Sequence, residues 1–206
     1  MKKLGENYIA QIEKINKENI IAKVVGKMQT SNESNVEIDL YQGLPKADKM
    51  ELIIQKTTEI GISKIIPIDM QRCVVKLDEK EAKKKIERWQ KIAEAAAKQS
   101  KRDKIPQVEN RINLKESINK ISQYDVFLVA YEEENVNNLK NELNNLHKKE
   151  FYKIGVLIGP EGGIDIKEVT ELKENGAKIV SLGKRILRCE TAPIVMTSNI
   201  IYQLEN

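Results

Sequence analysis

The sequence predicts an α/β protein: a parallel sheet covered by helices on both faces, preceded by a small β segment. Three observations carry this. Short runs of Ile, Val and Leu alternate with amphipathic stretches through the second half of the chain, the pattern of strand–helix–strand units. Cap and turn residues punctuate them, as in Asp165-x-x-Glu168 and Asn175-Gly176. Hydrophobic residues fill 40% of the 206 positions, which supports one sizeable core, and no apolar run is long enough to span a membrane.

Each element follows from its local pattern. Tyr8 to Ile15 alternates, and Ile20 to Val25 follows after Asn16-Lys17-Glu18-Asn19, which reads as a hairpin. A two-stranded ribbon is not stable alone, so it belongs to a larger sheet or leans on the rest. The polar stretch Thr30–Asn35 reads as a linker and divides a small β domain, 1–35, from a main domain, 36–206. Val36 to Tyr41 is a strand ended by Gly43-Leu44-Pro45. Asp48-x-x-Glu51 has the form of a capping box opening a helix, with Met50, Ile53, Ile54, Thr57 and Ile60 on one stripe and Gly61 as the stop. Ile65 to Ile68 is a short strand interrupted by Pro67. Asp78 to about Ser100 is a long helix whose inner side carries Ala82, Ile86, Trp89, Ala93 and Ala96, with Trp89 a core anchor rather than a base-stacking platform. Strands at Val126–Tyr131, Ile154–Ile158 and Ile179–Leu182 then alternate with helices at Leu139–Leu146, Asp165–Asn175 and Thr191–Leu204. The last of these holds Pro193 in its first turn, where proline is tolerated.

Charge and cysteine content narrow the function. Residues 41–110 carry sixteen basic and eleven acidic side chains, while the flanking parts are balanced or slightly acidic. This middle segment is where a polyanion would dock, although lysine-rich helices are also ordinary solvated faces. Cys73 and Cys189 are too few for a disulfide framework and have no paired metal spacing, and MKKLGENYIA lacks the apolar stretch of a secretory signal. No metal, no membrane and a cytoplasmic location are the expectation.

Ligands of parallel sheets bind beyond the carboxyl ends of strands, so the loops there are the informative residues. One is Gly159-Pro160-Glu161-Gly162-Gly163; another is Gly183-Lys184-Arg185-Ile186-Leu187-Arg188-Cys189-Glu190-Thr191-Ala192. The first is not a P-loop, because no Gly-Lys-Ser/Thr follows, nor a G-x-G-x-x-G dinucleotide fingerprint. A nucleoside held by backbone groups remains compatible with it. In the second, Arg185 and Arg188 could hold a phosphate or carboxylate, and Cys189 sits near a helix start, where thiolates are favoured. His147 is the only histidine and reads as part of a polar helix, which argues against Ser-His-Asp or Cys-His catalysis.

Five segments together resemble the SPOUT superfamily of S-adenosylmethionine-dependent RNA methyltransferases, and more narrowly the bacterial 16S ribosomal RNA uracil-N3 methyltransferase family. They are QGLPKADKMELIIQKTTEIGISKIIPI at 42–68, RCVVK at 72–76, ERWQKIAEAAAKQSKR at 87–102, LIGPEGGID at 157–165 and LGKRILRCETAP at 182–193. The resemblance implies a SPOUT-type parallel sheet with a C-terminal trefoil knot, an exception to the usual rules of chain connection. It implies a homodimer with the final helix in its interface. It also implies that the family's N-terminal PUA-like barrel is represented only by about its last two strands. The cofactor would be S-adenosyl-L-methionine, wrapped by Tyr131, Ile158, Gly159, Pro160, Glu161, Gly162, Gly163, Leu182, Gly183, Ile186, Leu187, Thr191 and Ala192.

The substrate would be 16S rRNA within the small ribosomal subunit, held by Lys46, Lys56, Arg72, Gln99 and Arg102. Catalysis is expected from Arg188, placing positive charge near the developing uracilate, with Glu190 orienting it. Cys73 and Cys189 stand where the family commonly has small residues, so neither takes a family role. Two other readings stay open on the residues alone: a nucleotide-dependent α/β enzyme, and a non-catalytic RNA-binding or dimerisation module that retains the fold.

Overall fold

A computed structural model describes residues 8–27 and 32–205. Its main sheet has seven strands, all parallel: β3 (Val36–Gly43), β4 (Lys64–Asp69), β5 (Gln107–Val108), β6 (Ile112–Asn113), β7 (Val126–Ala130), β8 (Tyr152–Ile158) and β9 (Lys178–Val180). The spatial order is β5-β4-β3-β8-β7-β9, with β6 also pairing β4. The central strands β3, β7 and β8 are buried on both faces, which explains the near-continuous apolar sequences of β7 and β8; β3 also buries Asp39 and Gln42. Helices α1 (Lys49–Ile60), α2 (Glu79–Gln99), α3 (Leu114–Ile118), α4 (Leu139–Asn144), α5 (Ile166–Glu174) and α6 (Thr191–Leu204) cover it. Helix α1 packs on α2 and α6, and α6 also reaches β3, β8 and α4. Among the described residues, no helix is long and apolar enough to cross a membrane.

The core is isoleucine-rich: Ile38, Ile53, Ile54, Ile62, Ile65, Ile68 and Ile154 are fully buried. Each such side chain contributes about 1.5–3 kcal/mol through removal from water. Trp89 is buried in the same cluster, as its place on α2 predicts. The α5 capping box forms as read, with Asp165 and Glu168 each accepting the other's backbone N–H.

Several expectations are corrected. The Asp48 side chain makes no cap hydrogen bond; Glu51 instead pairs with Arg88 of α2 at 2.8 Å. Pro67 does not interrupt β4. The outer edge of β4 is paired to β5 up to Ile65 and to β6 from Ile68, so the residue without an N–H falls in the gap between them. The strands β5 and β6, of two residues each, and α3 have too little periodic sequence to be read. His147 lies past the end of α4, in the loop, rather than in the helix.

Strands β1 (Tyr8–Ile15) and β2 (Ile20–Lys27) form the predicted antiparallel hairpin. It is exposed along almost its whole length, including Ile9, Ile12, Ile15, Ile20 and Val24. Thr30 and Ser31 of the predicted linker lie outside the described residues, but the rest of it is fastened. The Glu33 carboxylate accepts from Arg102 Nη2 at 2.6 Å and from the backbone N–H groups of Asp103 and Lys104 at 2.9 and 3.0 Å. Arg102 Nη1 donates to the carbonyls of Ile62 and Thr58 at 2.6 and 3.2 Å. The Arg102 side chain is only 6% exposed. Its expected contact with RNA is therefore corrected: its donors already satisfy a buried carboxylate and a helix end.

Replacing Arg102 with Ala should destabilise the fold by about 3–5 kcal/mol, the cost of leaving a buried charge unpaired. Urea denaturation measures this. At temperatures where the variant is folded, the salt dependence of its RNA binding should match that of the wild type.

Candidate functional site: a glycine-walled cleft at the strand ends

The carboxyl ends of β7, β8 and β9 converge because their exit loops are hydrogen-bonded together. Tyr131 N–H donates to the Val180 carbonyl at 3.1 Å, and Ser181 N–H to Asn137 at 3.0 Å. The Asn137 side chain adds a bond to the Ile179 carbonyl at 3.1 Å. The loop after β8 turns back on itself through Gly163 N–H to Pro160 O at 3.0 Å. Glycine is required at two positions here. A Cβ on Gly159 would lie 2.8 Å from Ile164 Cγ1, and one on Gly163, whose φ is +71°, would run into the Glu132 carboxylate. The third loop closes the cavity and enters α6, where the Thr191 and Ala192 N–H groups bond to the Arg188 carbonyl.

The result is a cleft of about 320 Å³, within the usual range of small-molecule sites. Of the residues expected to wrap a cofactor, Tyr131, Ile158, Gly159, Pro160, Glu161, Gly163, Leu182, Gly183, Ile186, Leu187 and Ala192 line it, and so does Arg188. Gly162 and Thr191 do not. Gly162 turns outward, its carbonyl accepting from Arg72 Nη1 at 3.2 Å, and Thr191 begins α6. Arg72 also pairs with Asp165 at 3.3 Å, so it braces the loop from outside. Lys46 and Gln99 are exposed, and Lys56 is paired with Glu59 at 3.0 Å.

The polar end of the cleft differs from the sequence reading. Glu190 has Lys49 at 3.4 Å, whereas Arg188 is 4.0 Å away with a side chain 83% exposed. The nearer cation of Glu190 is thus Lys49, which also pairs with Glu161 at 3.0 Å. Sequence reasoning missed Lys49, Glu132, Asn135 and Ser181 as lining residues. Lys49 lies 112 residues before Glu161, and no local pattern joins them.

These contacts fix the charge states. Burial would raise the Glu161 carboxyl, but backbone N–H groups of Lys46 and Glu161 itself, with Lys49, hold it below its ordinary value. Burial likewise opposes Glu190, yet its own backbone N–H, the Cys189 thiol and Lys49 keep it low. The hydrogen bond to Glu161 holds the Lys49 ammonium in its charged form. Cys189 goes the other way: burial, its hydrogen bond to Glu190 at 3.3 Å and the nearby carboxylate of Glu161 push its thiol up to about 12. Burial and a hydrogen bond to Glu133 at 2.8 Å raise the Tyr131 hydroxyl to about 12 as well.

A parallel sheet whose last three strand ends wrap a glycine-walled cleft is the architecture of an RNA methyltransferase domain, and that family matches residues 32–201. Ribosomal RNA small subunit methyltransferase E of Bacillus subtilis is 38% identical over 199 residues, covering 95% of this chain and 77% of that protein. Its namesake in Mesomycoplasma hyopneumoniae is 34% identical over 182 residues, covering 87% and 76%. This chain belongs to the ribosomal RNA small subunit methyltransferase E family. The structure of the Neisseria gonorrhoeae member bound to S-adenosyl methionine superposes with a TM-score of 0.85 at 30% identity, over 97% of this chain and 79% of that one.

Cys189 should react with iodoacetamide at pH 8 far more slowly than a free thiol, because almost none of it is thiolate. Alkylation at the rate of a free cysteine, followed by mass spectrometry of the peptide, would contradict the assigned charge state.

Proposed function

We propose that this protein transfers a methyl group from S-adenosyl-L-methionine to N3 of a uridine in 16S ribosomal RNA of the small subunit. The observation that carries the reading is the cleft built from the ends of β7, β8 and β9. Its size suits a nucleoside-sized ligand, and its glycines leave backbone where side chains would block entry. Its walls supply the two surfaces such a cofactor needs: apolar side chains of Ile158, Leu182, Leu187 and Ala192, and a polar end of Lys49 and Glu161. When bound, the cofactor supplies an activated methyl sulfonium, so the protein has to bind, orient and deprotonate.

Orientation alone is worth about 7–11 kcal/mol of barrier. Arg188 stands at the rim with its guanidinium largely in solvent, free to meet an incoming base and to stabilise the negative charge that develops at N3. Glu190 keeps Arg188 near the cleft by a long-range contact rather than a close hydrogen bond. Lys46, Lys56, Gln99 and Arg72 hold the RNA. Lys46 and Gln99 are exposed for this, whereas Lys56 and Arg72 must exchange their present partners, Glu59 and Asp165.

The homodimer belongs to the same reading. Helix α6 leaves Ile194, Val195, Ile201 and Leu204 only partly covered within one chain, and Tyr202 lies on its outer side. The trefoil knot is supported by the path of α6, which leaves the edge strand β9 and returns to pack on β3 and β8. The partial β domain, 1–35, would add to RNA contact, and the reaction would take place in the cytoplasm, where the small subunit is found.

Incubating 30S particles with the protein and methyl-labelled cofactor, then sequencing the rRNA by mass spectrometry, should give one N3-methylated uridine. Absence of label in both 30S particles and deproteinised RNA would overturn the reading. Arg188→Ala should lower turnover about 10²–10³-fold while changing cofactor affinity little. Cys189→Ser should leave turnover near the wild-type rate.

A further inference from the structure

Lys49 does more than line the polar end of the cleft. It is the first residue of α1, in the first half of the chain, yet its ammonium lies against two loops from the second half. One is the loop after β8, through Glu161 Oε1 at 3.0 Å, and the other is the segment ahead of α6, through Glu190 Oε2 at 3.4 Å. Cys189 Sγ is 3.9 Å from the same nitrogen. Lys49 itself forms part of the cleft wall. No other side-chain cation pairs with Glu161 among the described residues, and the only other one near Glu190 is Arg188, at 4.0 Å and mostly in solvent.

We propose that Lys49 is a positioning residue for methyl transfer: it fastens the loop after β8 to the segment ahead of α6, and so sets Glu161 on the wall of the cofactor cleft with Glu190 held on the same ammonium. The inference rests on the function proposed above. Its physical basis is charge balance. Two carboxylates drawn to one nitrogen repel each other unless a cation lies between them. With Lys49 in place, the trio keeps one surplus negative charge, which favours a cationic sulfonium ligand over its neutral thioether product. Without Lys49, the two loops lose this direct side-chain bridge, and one carboxylate takes up a proton at a higher pH. The charged and titratable groups around Lys49 are Glu161 from the β8 loop, Arg188, Cys189 and Glu190 from the α6 approach, and Lys46 and Asp48 on its own side.

The test is calorimetric titration of S-adenosylmethionine and S-adenosylhomocysteine into wild-type, Lys49→Met, Lys49→Arg and Glu161→Gln proteins between pH 5 and 8, with thermal melts to establish folding. Lys49→Met should weaken S-adenosylmethionine binding by about three- to tenfold, because the unfastened loops cost more than the added carboxylate charge contributes, and its affinity should fall further as that charge is protonated between pH 7 and 5, where the wild type stays flat. Lys49→Arg should restore both the affinity and the flat profile. Glu161→Gln, which removes the surplus charge but keeps Lys49 paired with Glu190, should narrow the preference for the sulfonium over the thioether. That variant keeps the test decisive if Lys49→Met does not fold. Wild-type affinity in Lys49→Met, an equal loss at every pH without rescue by arginine, or an unchanged preference in Glu161→Gln would overturn the role of Lys49. Failure of the wild type itself to bind S-adenosylmethionine would instead overturn the proposed function, and this inference with it.

Discussion

The pairing of β3 with β8 is the constraint on which the site depends. It runs in register from Val36 opposite Tyr152 to Gln42 opposite Ile158, and it joins the first third of the chain to the last. Its end places Gly43 directly under the β8 loop: a Cβ there would lie 2.7 Å from Pro160 N. The buried Gln42 amide extends the contact, donating to the Gly43 and Gly159 carbonyls at 3.1 and 3.4 Å. Because α1 starts a few residues after β3, the same register delivers its first turn to the cleft. A slip by one residue would turn every side chain of a doubly buried strand to the wrong face and carry the cleft floor away with it.

Two clusters of charge show how differently the fold treats buried carboxylates. Asp39, within β3, is dominated by its burial, which raises its carboxyl; the Tyr124 hydroxyl at 2.9 Å and Lys64 at 4.0 Å only partly offset this. Tyr124 is linked in turn to Tyr41 at 2.8 Å, and the rings of Tyr41, Tyr124 and Phe127 pack edge to face or tilted. That cluster fills the interior with aromatic surface. At the cleft, by contrast, two carboxylates are kept below their ordinary range by backbone donors and an ammonium, at the edge of open space. The first arrangement satisfies a core; the second prepares a surface for a charged ligand.

The sequence made local features legible and distant ones obscure. The α5 capping box could be read because Asp165 and Glu168 serve each other across one turn. The same pattern at Asp48 and Glu51 misled, because Arg88 on a neighbouring helix draws Glu51 away. Pro67, lacking an N–H, reads as a strand breaker, and β5 and β6, of two residues each, are too short to reveal from sequence the gap that accommodates it. The loop after β8 could be read as a place where backbone approaches a ligand closely, since it has three glycines and a proline in five positions, and it does line the cleft. Lys49 and Glu33 were not, because each acquires its meaning only when the sheet brings distant segments together. Arg102 was misread for that reason: in a basic stretch it looked like a contact for polyanions, whereas Glu33, seemingly a linker residue, neutralises it inside the fold.

Cys189 lines a cleft proposed to hold a reagent that methylates nucleophiles. A thiolate there would be a competing acceptor: its sulfur would attack the methyl carbon, the sulfonium would leave as a thioether, and the enzyme would end as an S-methylcysteine. Keeping the proton on Cys189, donated toward Glu190 and guarded by burial, removes that lone pair from contention. The site is thereby shielded from self-inflicted alkylation, and the methyl group is reserved for the nucleobase.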